Sequence, residues 1–141
     1  MSKAQFVWDG VVGLADPADP SAGANFTYTL AAGQKGLLVV ITITFTSAVA
    51  AANRGMSLRI RHGTKVLWQN LTMANQTASR TNYYTFAPGI PVSDAADQVN
   101  RTFPFDAPIE VPAGSVIDTV ITNIQGADQV NVAWEYKELK A

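Results

Sequence analysis

The sequence has no cysteine in 141 residues and a single histidine, His62. Without cysteine there is no disulfide framework, thiolate nucleophile or thiolate metal site. A metal centre or a Ser–His–Asp triad needs histidine within a constellation, and His62 falls at an expected hairpin turn, where it reads as a solvated surface residue. Charge is scarce as well. Charged residues make up 15% of the chain, against about 25% in ordinary soluble domains. The net charge of −1 gives no overall field that would steer nucleic acid or an acidic membrane to the chain. No apolar run approaches the ~20 residues of a membrane span, and the first ten residues lack the apolar core of a signal peptide. No Gly-rich loop links a strand to a helix, so nucleotide binding has no support. Asp94 with Asp97, or Asp106 with Glu110, would suit two-carboxylate hydrolysis, but so would almost any two acids. The chain reads as a non-enzyme without cofactor or metal.

What the sequence does contain is period-2 alternation. In residues 37–46, Leu-Leu-Val-Val-Ile-Thr-Ile-Thr-Phe-Thr, the odd positions Leu37, Val39, Ile41, Ile43 and Phe45 share one face. The other face turns half polar at Thr42, Thr44 and Thr46. The same pattern predicts strands over 25–31, 57–62, 66–72, 83–86, 103–111, 116–124 and 130–137. Gly63-Thr64 reads as a two-residue hairpin turn. Pro104 and Pro108 place 103–111 at a sheet edge or at a bulge. The Ala run near position 50 is too short to stand as a helix. The expected core comprises Phe26, Tyr28, Leu30, Val39, Ile41, Ile43, Phe45, Leu58, Ile60, Val132, Trp134 and Tyr136. Eight strands with turns between them predict an all-β antiparallel sandwich over residues 24–141.

Residues 1–23 differ from the rest. Phe6, Val7 and Trp8 precede a repeated Ala-Asp-Pro at 15–17 and 18–20, whose prolines enforce an extended chain. This predicts an arm or edge strand followed by a stiff link, with its apolar residues covered by its own domain or by a neighbouring subunit. A second feature is a stretch of one-signed charge. Arg54, Arg59, Arg61, Lys65 and Arg80 occur with no Asp or Glu between the first and the last. Arg59 and Arg61 share a strand face, roughly 7 Å apart. They form either a solvated face paired with acids on neighbouring strands or a contact face for an acidic protein partner. Nucleic acid is disfavoured by the lack of interleaved aromatics. The four Asn-X-Thr sequons, at Asn25, Asn70, Asn75 and Asn100, follow from a Thr- and Asn-rich β surface.

The strand order resembles a jelly roll, and Ala-Pro-Ile-Glu-Val-Pro-Ala-Gly-Ser-Val-Ile at 107–117, before a closing Trp-containing strand, is similar to the end of many viral jelly rolls. With the small size, low charge, absent cysteine and apolar arm, the chain resembles the cement (decoration) proteins of tailed-bacteriophage capsids. That resemblance implies a virion protein, made in the host cytoplasm, that binds the outer capsid surface as a dimer or trimer and bridges major capsid subunits. The partner surface would then be Phe6, Val7 and Trp8 with Arg54, Arg59, Arg61 and Lys65. The alternative is a carbohydrate-binding sandwich that uses Trp68, Tyr83 and Tyr84 as platforms. One feature departs from a simple jelly roll. The Gly63-Thr64 turn pairs two strands that this count assigns to opposite sheets, so either the turn is a corner or the count is off by one.

Overall fold

The computed structural model describes residues 7–8, 11–70 and 74–139, and no helix occurs among them. Among the described residues eleven strands form: β1 (Val7–Trp8), β2 (Val11–Leu14), β3 (Thr27–Thr29), β4 (Gly36–Thr46), β5 (Gly55–His62), β6 (Lys65–Gln69), β7 (Thr81–Pro88), β8 (Asn100–Phe105), β9 (Ile109–Val111), β10 (Val116–Thr122) and β11 (Gln129–Leu139). One sheet runs β1-β2-β11-β4-β7-β8, with β9 also on β4; the other runs β3-β10-β5-β6. With β1, β8 and β9 set aside, the remaining eight strands alternate between the sheets in jelly-roll order. Their first, eighth, third and sixth members make one sheet; the second, seventh, fourth and fifth make the other.

This order accounts for the hairpin at Gly63-Thr64. His62 pairs with Lys65 across the turn, and Gly63 adopts φ +61°, where a Cβ is costly. The two strands belong side by side because the strand count begins at Val11–Leu14, one strand earlier than periodicity suggests. The expected 103–111 strand is in fact two short ones. β8 runs parallel to β7 at the sheet edge, and β9 returns to pair with Gly36–Leu38 of β4. The chain bends between them at Asp106–Pro108, and Pro104 sits on the edge strand, where its missing donor is tolerated.

β4 organises its sheet because it is long enough to hold partners on both edges: β11 on one, and β7 and β9 in tandem on the other. A bulge lies opposite Glu135/Tyr136, so Glu135 pairs with Val40 but Tyr136 pairs with Leu38. Skipping Val39 reverses the faces. Leu38, Ile41, Ile43 and Phe45 are therefore buried, while Val39 is only half-buried, in contrast to the expectation for Val39. Gly36 lies in the same crowded stretch; a Cβ there would strike the Lys137 carbonyl. Tyr28 is half-buried against the core, with its ring edge-on to Trp134. The other ten residues expected in the core are buried.

The N-terminal segment takes its edge-strand alternative. Val7–Trp8 pairs with Val11–Val12, and Val11–Leu14 pairs with Tyr136–Leu139 of β11. Residues 15–20 continue along the same sheet, where Asp16 and Asp19 accept N–H groups of β11. Phe6 falls outside the described residues.

Candidate functional site

The five cations of the acid-free stretch, four of them expected on the partner surface, separate in space. Arg54 lies at the end of the sandwich where β4, β5, β10 and β11 meet, wholly buried. Its Nε donates to Asp128 Oδ2 at 2.8 Å and its Nη2 to Oδ1 at 3.0 Å, while other guanidinium N–H groups reach the Ala50 and Ala52 carbonyls. It is structural and does not belong to a partner surface. Arg80 donates to Thr77 Oγ1 and faces Asp97 at 3.1 Å, in a loop.

Arg59 and Arg61 remain together on the outer face of the four-stranded sheet, whereas Lys65 pairs with His62 at the hairpin, one residue out of phase with them. Asp118 of β10 stands across from Arg59 in register, so one carboxylate meets both arginines. Arg59 binds it in bidentate fashion at 3.0 and 2.7 Å; Arg61 reaches it through Nε alone at 3.3 Å. Its hydrogen bonds to the Asp118 carboxylate raise the Arg59 pKa above its ordinary value. The acid expected from a neighbouring strand is therefore present, but it is shared. Two half-exposed guanidinium groups divide one carboxylate, which leaves a net positive charge on this face. Beside them on the edge strand, Val66 and Leu67 are 52% and 43% exposed. An excess of arginine charge with an apolar rim is chemistry that suits a protein contact.

Two further buried polar side chains, Gln76 and Arg101, are hydrogen-bonded internally. Buried Gln76 donates to the Phe45 and Arg80 carbonyls and accepts the Tyr84 hydroxyl at 2.7 Å. Buried Arg101 donates to the Ala74, Asn75 and Gln98 carbonyls and to Asp94, with its guanidinium 4.9 Å from the Tyr84 ring centre. Asp94 and Asp97 each accept backbone N–H groups from the 74–77 segment. They fasten loops together. Gln76, Arg101 and Asp128 carried no sequence signal, because their partners lie in distant loops.

These contacts set a pH profile. Burial alone would raise the Asp128 carboxyl, but hydrogen bonds from Arg54, Ala48 and Gln125 outweigh it and the pKa falls below 3.8. Hydrogen bonding from the Thr77 N–H is the main cause that lowers Asp97. Both contribute stability that is present above their ordinary pKa and lost as pH falls through the lowered values. Tyr84 moves the other way: burial pushes its hydroxyl up from 10 to about 12, so its contribution is lost as pH rises through that interval. Melting temperature against pH should therefore fall steeply below about pH 4 and above about pH 10. Burial raises the Tyr136 hydroxyl as well, so Tyr84→Phe should make the alkaline limb shallower without abolishing it, and should leave the acid limb in place.

The glycan-platform aromatics are mostly internal. Tyr84 is fully buried and Trp68 packs edge-on to Phe86 and Phe105, which leaves Tyr83, at 41%, as the exposed one of the three. His62 is exposed at the hairpin. Among the described residues no cluster of three His, Cys, Asp or Glu side chains could hold a metal, and no helix is long and apolar enough to cross a membrane. A cleft of about 170 Å³ lined by Lys35, Gly36, Glu110, Val111, Pro112 and Leu139 is smaller than the ~300 Å³ at which ligand pockets begin.

Compared with known protein families, curated proteins and solved structures, the chain matches none.

Proposed function

We propose that this protein works by assembly: it docks on the acidic outer surface of a preformed protein shell and bridges its subunits, as a decoration protein does on the capsid of a tailed bacteriophage. The observation that carries this reading is the outer face of the four-stranded sheet, where Arg59 and Arg61 share a single carboxylate beside the exposed Val66 and Leu67. A charge excess held on a rigid sheet favours an acidic partner and speeds encounter with it. A carboxylate from the shell would take the guanidinium N–H groups that Asp118 leaves unused. Many copies on one lattice need only modest affinity each, since avidity supplies the rest. A second contact is the outer edge beyond Val7–Trp8, which offers backbone pairing to a neighbour's strand. Self-association as a dimer or trimer would add to the bridging.

The reading is tested by mixing the protein with capsids stripped of their decoration and measuring bound copies per shell. Saturable occupancy at a fixed number of copies supports it. Absence of binding to such shells, together with saturable binding on a glycan array, would replace it with the carbohydrate reading.

A further inference from the structure

The Asp-Pro repeat singled out in the sequence has a position that the docking surface does not use. Residues 15–20 run beside β11, along the edge opposite β4. Asp16 Oδ1 accepts the Trp134 N–H at 2.9 Å, and Asp19 Oδ1 accepts the Val132 N–H at 2.8 Å. Three further bonds hold the same segment: Asn131 Nδ2 to Asp19, Trp134 Nε1 to the Ala15 carbonyl, and Gln129 Nε2 to the Pro20 carbonyl. Thus carboxylates replace the backbone carbonyls that a neighbouring strand would offer. Pro17 and Pro20 cannot donate to a ladder, so the strap seals the edge without becoming a strand.

The sealed edge matches itself. Its outward groups come from the even residues: the Val132 and Trp134 N–H groups, and the Val130 carbonyl, which accepts from Gln129 Nε2. Place a second copy antiparallel across a two-fold axis at Val132. Val132 then meets its own counterpart in a hydrogen-bonded pair, and Val130 meets Trp134. Asn131 lies opposite Ala133, and Gln129 opposite Glu135. Glu135 is the only charged residue from 129 to 135, so no like charges meet.

We infer that the β11 edge over Gln129–Glu135 is a self-association surface for a second copy of this chain, covered in the closed form by the Asp16 and Asp19 carboxylates. The inference is independent of the proposed Arg59/Arg61 contact, which lies on the other sheet. In the parent chain the strap prevails because it is intramolecular.

Opening the strap tests this. Asp16→Ala/Asp19→Ala should double the parent's mass by light scattering at the same concentration. Pro17→Gly/Pro20→Gly, which loosens the strap but keeps both carboxylates, should shift the mass in the same direction. The register can be checked because the chain has no native cysteine. Strap-open chains carrying Asn131→Cys, mixed with strap-open chains carrying Ala133→Cys, should form an inter-chain disulfide under mild oxidation. The inference is overturned if variants that melt cooperatively keep the parent's mass, form aggregates of undefined size, or double in mass without that cross-link.

Discussion

Replacing Arg54 by alanine is expected to cost about 3–5 kcal/mol of folding stability, because it leaves the Asp128 carboxylate buried without its partner. That is a large part of the roughly 5–15 kcal/mol by which domains are stable. Asp128 also accepts the Ala48 and Gln125 N–H groups, so the pair fastens the loop after β4 to the turn before β11. Asp128→Ala should be comparably damaging. The double replacement Arg54→Met/Asp128→Leu removes both charges and should cost less than the sum of the single changes, since neither ion is then stranded. Urea denaturation of the three variants measures this. Additive losses would mean that the two residues do not act as a pair.

Along β4 the bulge makes a sharper distinction. Ile41→Ala and Ile43→Ala should each cost about 2–5 kcal/mol, the range for removing a fully buried aliphatic side chain. Val39→Ala, at a half-buried position skipped by the bulge, should cost less than about 1 kcal/mol. Equal losses at positions 39 and 41 would show that the alternation continues through the strand without a break. The same denaturation experiment decides the matter.

The fold class was legible because Ile41, Ile43 and Phe45, or Val132, Trp134 and Tyr136, repeat with the period of a strand that is buried on one side. The bulge at Val39 was not legible: Leu-Leu-Val-Val is apolar at every position, so periodicity gives no phase there. The strand count slipped by one for a similar reason. Val11–Leu14 is short and contains Gly13, whereas 103–111 is long enough to suggest one strand despite its prolines. Pattern alone also cannot separate a buried arginine from an exposed one. Arg54 and Arg59 look alike in sequence, and what divides them is Asp128, 74 residues away, against Asp118, 59 residues away. The Ala-Asp-Pro repeat correctly signalled an extended chain. Its role as an edge seal depends on donors at Val132 and Trp134, more than a hundred residues downstream.

The central claim is that the sheet face bearing Arg59 and Arg61 binds an acidic protein lattice. It is tested most directly by measuring how many copies of Arg59→Ala/Arg61→Ala bind to stripped capsids at low and at high salt, beside the parent. The parent's occupancy should be high at low salt and fall as salt rises, because Coulombic attraction at an exposed site is screened. The variant should bind weakly at both salt concentrations and show little further loss. Occupancy equal to the parent's at both concentrations would contradict the account and return this face to solvent.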